Sequence, residues 1–138
     1  MRIWSTVTVA LTTAVGLIAP LPSLAQRNPF QPIARIDPSQ PITLVLTNRS
    51  GSTLEAGLTT RRTVAREIQP EETVEVTLAE LPAYLNISTP SRPPYSELSL
   101  AYRVRSQNNR VTITVDLKND TQGDRIVDFH EQGGIYVY

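Results

Sequence analysis

Residues 98–117 read LSLAYRVRSQNNRVTITVDL, and they give the clearest sign of the fold. Apolar and polar residues alternate on both sides of Asn108-Asn109, as they do in two half-buried strands joined by a tight turn. Asparagine tolerates the positive φ angles of a type I′ turn, so the sequence predicts a β-hairpin. A two-residue turn places Tyr102 opposite Val115. A one-residue slip would place arginines opposite core residues, so the alternation and the turn predict the same register.

The rest of the chain continues the period of two. Further strands are predicted at residues 42–47, 53–60, 62–68, 73–79, 83–88, 125–129 and 134–138. No segment of helical length carries a 3.6-residue apolar stripe. We therefore expect an all-β protein, a single immunoglobulin-like antiparallel β-sandwich of about eight short strands over residues 42–138. The hairpin residues expected in its dry core are Leu100, Tyr102, Val104, Ile113 and Val115.

The first 25 residues read as a secretory signal peptide. Arg2 supplies a positive start, an apolar run extends from Ile3 to Ala19, and Ser23-Leu24-Ala25 forms a small-x-small cleavage site. Polar residues interrupt the run, which argues against a permanent membrane span, although an uncleaved anchor is the alternative. We therefore expect a secreted or periplasmic protein cleaved between Ala25 and Gln26. Membrane association is not expected after cleavage.

Prolines mark the segments between and before the strands. Four of them make residues 26–41 an expected extended linker, in which Phe30, Ile33 and Ile36 could lie along the domain. Pro70 suits the second position of a type I turn over residues 69–72. The segment Thr89 to Tyr95 holds three prolines and is expected to be a rigid loop.

Composition excludes several function classes. Arg2 is the one charged residue of the leader, so 12 basic residues stand against 13 acidic ones in the remainder. A chain so balanced has no overall field to attract nucleic acid, and we expect no nucleic-acid partner. Cysteine is absent, which excludes disulfides, thiol nucleophiles and thiolate metal sites.

The sequence holds no recognisable catalytic constellation. His130 is the only histidine, and no G-x-S-x-G elbow accompanies it, so a surface histidine is expected rather than a catalytic base. We expect no catalytic residue, no cofactor and no metal ligand. A small secreted carboxylate-dependent hydrolase is the enzyme alternative, because any two of the 13 acids, Glu71-Glu72 included, could form a catalytic pair.

One acidic segment raises the question of calcium. Residues Asp116 to Asp124 supply the oxygen ligands that calcium prefers, from Asp116, Asn119, Asp120 and Asp124. Their spacing does not match an EF-hand loop, and asparagine, aspartate and glycine are also common in any strand connection. A plain turn is expected, with calcium binding as the alternative.

Two arginine clusters are the other candidate surfaces. The first comprises Arg61, Arg62 and Arg66, and the second comprises Arg103, Arg105 and Arg110. Together they could bind an acidic glycan or a phosphate-rich surface. Arginines scattered along strands more often keep sheet faces and edges soluble, which is the expectation here. Aromatic residues do not alternate with them, which also argues against nucleic acid.

The last eight residues, Glu131 to Tyr138, resemble the C-terminal signal of bacterial outer-membrane β-barrel proteins. A polar residue, a glycine and aromatics at the antepenultimate and final positions carry the resemblance. An outer-membrane β-barrel component is therefore an alternative, although spanning strands need about 9–11 residues each. The main expectation for this segment is a last strand that completes the sandwich.

The chain as a whole is similar to the small exported β-sandwich proteins of bacteria that have no assigned activity. The shared features are generic: the ending Thr47-Asn48-Arg49-Ser50-Gly51 of an apolar strand, the Ile68-Gln69-Pro70-Glu71 turn, and Gly134 to Tyr138. The resemblance implies a fold and a compartment but no functional residues. We therefore expect an exported, non-catalytic module that acts in binding or in envelope-associated structural interactions, with an unknown protein or glycan of the cell envelope as partner. Edge strands and the Thr89 to Tyr95 loop are the expected contact surfaces.

Overall fold

The computed structural model describes residues 30–90, 98–119 and 123–138. The described residues contain no helix and form ten strands, which confirms the all-β prediction. The strands are β1 (Ala34–Arg35), β2 (Ile42–Arg49), β3 (Leu54–Thr59), β4 (Thr63–Ile68), β5 (Thr73–Leu78), β6 (Ala83–Ser88), β7 (Leu100–Gln107), β8 (Arg110–Leu117), β9 (Ile126–Phe129) and β10 (Gly134–Val137). The predicted signal peptide, residues 1–25, lies outside the described residues, as do the start of the predicted linker and most of the Thr89 to Tyr95 loop.

The strands of the described residues form two open sheets and not one closed sheet. Sheet 1 has the order β1-β10-β9-β6-β3-β4, and sheet 2 has the order β5-β2-β8-β7. The inward-facing apolar residues of both sheets merge into one core, which is the packing of a β-sandwich. Alternate residues along each strand therefore face either this core or solvent.

The hairpin at β7 and β8 has the predicted register and turn. Tyr102 lies opposite Val115, and Asn108 and Asn109 have φ angles of 49° and 55°. Four of the five hairpin residues expected in the core are buried: Leu100, Tyr102, Ile113 and Val115. The fifth, Val104, is only half-buried, because β7 is an edge strand of sheet 2.

One pairing differs from the prediction of an antiparallel sandwich. Strand β2 runs parallel to β8, with Leu46 opposite Ile113, so sheet 2 is mixed. The alternation of apolar and polar residues is the same in parallel and antiparallel strands, and no short turn joins β2 to β8. The alternation therefore cannot show whether two strands run parallel or antiparallel. The prediction of a purely antiparallel sandwich is wrong for this pair.

Part of the predicted linker is built into the sandwich. Ala34 and Arg35 pair with β10 as strand β1, and Ile36 is buried in the core. The next residue, Asp37, exchanges two hydrogen bonds with Asn109 of the hairpin turn. The Asp37 amide donates to Asn109 Oδ1 at 2.7 Å, and Asn109 Nδ2 donates to the Asp37 carbonyl at 2.8 Å. This segment therefore covers the side of the sandwich where β1 lies beside β7.

The two asparagines of the hairpin turn allow the turn and the anchor to be tested separately. We expect Asn109→Gly to lower the free energy of unfolding by about 1–2 kcal/mol, because the side chain that holds Asp37 is lost while the turn is kept. Asn108→Gly should change it by less than about 0.5 kcal/mol, since glycine also accepts positive φ. Urea denaturation of both variants measures the difference, and equal stability of the two would contradict the anchoring role.

Candidate functional site

The opposite side of the sandwich, between the edge strands β4 and β5, is open. β4 ends sheet 1, β5 ends sheet 2, and residues 69–72 connect the two strands. Between the strands lies a cleft of about 600 Å³, which we call the side cleft. Apolar residues that face the core from four strands line its floor: Leu44 and Leu46 of β2, Ala56 and Leu58 of β3, Ile68 of β4, and Val74 and Leu78 of β5.

Two valines show that the core is uncovered at this side. Val64 on β4 is in phase with the buried Ile68, and Val76 on β5 lies between the buried Val74 and Leu78. Both valines thus occupy core-facing positions, yet Val64 is 66% exposed and Val76 is 41% exposed. A core-facing residue at the edge of a sandwich is exposed only where no side chain of the other sheet covers it. The side cleft is therefore an opening into the core.

At one end of the side cleft, beyond Ile68, the chain turns from β4 into β5 at a corner that contains a buried asparagine. Asn48, at the end of β2, is fully buried, and the two N–H groups of its Nδ2 are shared among three carbonyl oxygens, those of Ser52, Ile68 and Gln69, at 2.7–3.1 Å. Its Oδ1 accepts hydrogen bonds from the Ser50 amide and hydroxyl. This one amide therefore satisfies backbone groups from the start of β3 and from the end of β4. It holds together the corner where β4 turns into β5.

The connection between β4 and β5 is not the predicted type I turn. The Glu72 amide donates to the Gln69 carbonyl, which closes a four-residue turn, but Glu71 has a φ of 63°. Positive φ at the third position is typical of a type II turn and is uncommon for a residue other than glycine or asparagine. The Glu71 amide donates to the Asn48 carbonyl at 2.8 Å, and this bond holds the residue in that conformation.

An ion pair spans the other end of the side cleft. Arg61, in the turn between β3 and β4, lies 3.1 Å from Glu80, which follows β5. Both side chains are largely exposed, so the pair contributes less than about 1 kcal/mol and opens readily. Arg66 on β4 pairs with Glu72 at 2.7 Å along the rim. Among the described residues, Arg62 pairs with no acid.

The structure separates the two predicted arginine clusters. The first, Arg61, Arg62 and Arg66, lies on the rim of the side cleft. Of the second, Arg103 and Arg105 lie on β7, at the opposite edge of sheet 2 from β5. Arg103 pairs with Asp116 at 2.8 Å, and Arg110 pairs with Glu75 at 2.8 Å. The clusters therefore do not form one patch, and only the first belongs to the candidate site.

His130 lies far from the side cleft, at the end of β9. It is half-buried, its ring meets Tyr136 edge to face at 6.2 Å, and Nδ1 accepts a hydrogen bond from the Gln132 amide. Asp128 lies on the same strand, between Tyr84 and Tyr136 in the register of sheet 1. Burial raises the pKa of the Asp128 carboxyl, and the nearby His130 opposes the shift. Two strands, β6 and β3, separate this group from β4.

In the segment from Asp116 to Asp124, the two described aspartates interact with other residues of the protein. Asp116 pairs with Arg103, and Asp124 Oδ2 accepts a hydrogen bond from the Tyr102 amide at 2.7 Å. Asp120 lies outside the described residues. Within residues 30–90, 98–119 and 123–138, no group of three or more His, Cys, Asp or Glu side chains could hold a metal ion. In the same ranges no helix is long and apolar enough to cross a membrane.

The side cleft was missed by sequence reasoning, although one signal of it is present. On β4, Arg66 occupies a core-facing position between Val64 and Ile68. A charged residue in that phase is typical of an edge strand whose inner face is partly open to solvent. The pattern alone could not show that β4 and β5 would end their respective sheets side by side.

Comparison with known proteins adds no relative. No protein-family model, no curated protein and no solved structure matches the chain. The molecule is therefore assigned to a class by its architecture alone, that of a two-sheet all-β protein with an open side.

We expect Asn48→Asp to lower the free energy of unfolding by about 3 kcal/mol or more. The substitution replaces the Nδ2 donor by an oxygen that faces three carbonyls and buries a charge without a partner. Asn86→Asp is the matched control, because Asn86 is exposed on β6 and should change stability by less than about 0.5 kcal/mol. Chemical denaturation of both variants measures the effect, and a stable Asn48→Asp protein would show that the corner does not depend on this amide.

Proposed function

We propose that the protein is an exported, non-catalytic binding module whose ligand site is the side cleft. The observation that carries this proposal is the exposure of Val64 and Val76 at core-facing positions above an apolar floor. Leaving apolar core surface open to water costs about 25 cal/mol per Å², so a ligand that covers it gains that free energy. Binding sites for small ligands are typically apolar clefts of roughly 300–1,000 Å³ with a few polar groups. The side cleft has this size and composition.

The compartment belongs to the same proposal. The charged start, the apolar run and the Ser23-Leu24-Ala25 site favour export and cleavage before Gln26. A secreted or periplasmic module of this kind would meet ligands and partners of the cell envelope, where a protein or a glycan could also contact the edge strands. β4 and β5 are edge strands, and the backbone groups on their outer edges pair with no neighbouring strand of their sheets. Such edges favour contact with a partner molecule.

The hydrolase alternative receives no support at the side cleft. A two-carboxylate mechanism needs one acid free to donate a proton and another free to attack or to activate water. Glu80, which lines the cleft, pairs with Arg61, and Glu72 pairs with the rim residue Arg66. We therefore do not propose a reaction for this site.

For the fold we propose the immunoglobulin-like class in its broad sense only. Two face-packed sheets of short strands, with a chain that passes repeatedly between them, support that description. The order β5-β2-β8-β7 with its parallel pair departs from the four-strand and three-strand sheets of an immunoglobulin constant-type domain.

Export is tested by fractionating cells that express the full chain and by measuring the intact mass of the purified protein. We expect a soluble species that begins at Gln26. An intact species that begins at Met1 and stays with the membrane would contradict cleavage and would make the leader an anchor.

Binding in the side cleft is tested with Nile red, a neutral apolar dye, and the protein purified after expression of the full chain. We expect saturable binding of one dye per chain. Val76→Asp should weaken it about tenfold or more, because a carboxylate would face the apolar floor.

Ile126→Asp is the matched control for this experiment. Ile126 is an exposed apolar residue at 38%, close to the 41% of Val76, but it lies on β9 away from the side cleft. We expect wild-type affinity for this variant, with circular dichroism showing both variants folded. Loss of binding in both variants, or in neither, would refute the side cleft as the site.

A further inference from the structure

We propose that the side cleft binds a free long-chain carboxylate, with its hydrocarbon chain along the apolar floor and its carboxylate at Arg62. This inference rests on the proposed function, because it names the ligand class of the same site. It depends on three properties of the side cleft: its shape, its closed ends and the charge of its rim.

The shape of the side cleft suits a single extended chain. β4, which forms one wall, has six residues and is therefore about 20 Å long. A volume of about 600 Å³ over that length gives a mean cross-section of about 30 Å². This is room for one extended hydrocarbon chain, as in a free fatty acid.

The closed ends favour a ligand of limited length over a continuing polypeptide. At one end the corner held by Asn48 joins β4 to β5, and at the other end Arg61 and Glu80 meet across the opening. The first of these ends is covalent and does not open, so a partner strand paired along β4 could not continue past residues 69–72 within the cleft. The inward-facing Arg66 also stands where the side chains of an added strand would enter, and such charges are a common guard of sheet edges.

The charge of the rim calls for one anionic group. Three arginines lie there, and the acids Glu72 and Glu80 pair with two of them, Arg66 and Arg61. Arg62 is left over among the described residues, which gives the rim one uncompensated positive charge. A guanidinium binds a carboxylate through two parallel hydrogen bonds, which makes a carboxylate the matching head group. A hydrogen bond from the Thr60 amide to the Arg62 carbonyl, at 3.0 Å, fixes the turn that presents this side chain.

Displacement of Nile red by dodecanoate, decanoate and dodecanol tests the chain and the head group separately. We expect dodecanoate to bind one per chain and decanoate to bind about fifteenfold more weakly, because two fewer methylenes are buried. Arg62→Gln should lower the affinity for dodecanoate about tenfold and leave the affinity for dodecanol unchanged. Arg105→Gln is the matched control, since Arg105 is exposed on β7 at the far edge of sheet 2, and it should bind dodecanoate as the wild type does.

The outcomes that overturn this inference differ from those that overturn the proposed function. Equal affinities for dodecanol and dodecanoate, unaffected by Arg62→Gln, would refute the carboxylate while leaving an apolar site. Binding to phosphatidylglycerol vesicles without binding to dodecanoate would assign the site to membrane lipid instead. Displacement of the dye by a hexapeptide of the β5 sequence, but by no fatty compound, would assign it to strand addition. If Nile red itself does not bind, the proposed function fails together with the inference.

Discussion

The buried amide of Asn48 holds together the corner on which the open side of this sandwich depends. β4 and β5 follow each other along the chain but belong to different sheets, so they must separate as soon as they leave residues 69–72. Only a group that donates and accepts several hydrogen bonds at one point can satisfy the backbone of three strand ends there without water. Asn48 does so with its side chain, while its main chain bonds Glu71 and Glu72. Glu71 has a left-handed backbone conformation, which is unfavourable for glutamate. The hydrogen bonds of the corner therefore outweigh the local backbone preference of this residue.

The two sides of the sandwich differ in how far the core between the sheets is covered. Every open sheet has two edges, and the core between two sheets is exposed along them unless something covers it. On the β1 and β7 side, Ile36 enters the core and Asp37 is tied to the hairpin turn, so the N-terminal segment acts as the cover. On the β4 and β5 side the described residues provide only an ion pair at one end and the Asn48 corner at the other. This asymmetry among the described residues is the physical basis for our proposal of a ligand there, because the core is covered on one side and remains exposed at Val64 and Val76 on the other.

Local features of this fold could be predicted from the sequence, and relations between distant segments could not. The hairpin register followed from the alternation around Asn108-Asn109, because turn geometry and burial both demand it. The ranges of most strands, such as β6 at residues 83–88, followed from the same period of two. The parallel direction of β2 and β8 could not be predicted, since a period of two is the same for parallel and antiparallel strands. The side cleft also escaped prediction, because whether Val64 is covered depends on which strands end each sheet and not on anything within β4 itself. The predicted type of the turn at residues 69–72 was wrong for a similar reason. The hydrogen bond from the Glu71 amide to Asn48, which is distant in sequence, outweighs the local preference for a type I turn.

The parallel pair at the centre of sheet 2 has a consequence for the order in which the molecule can fold. β2 lies between β5 and β8, and its partner β8 follows it by more than half of the described chain. Contacts between residues so far apart in sequence require a large loop to close first, which slows folding relative to local hairpins. Sheet 2 therefore cannot be completed until residues 110–117 have been made, and β1 cannot pair before β10 exists. A chain whose second sheet is incomplete until β8 is present folds late, and late folding suits passage across a membrane in an unfolded state, which is the exported route that we propose for this protein.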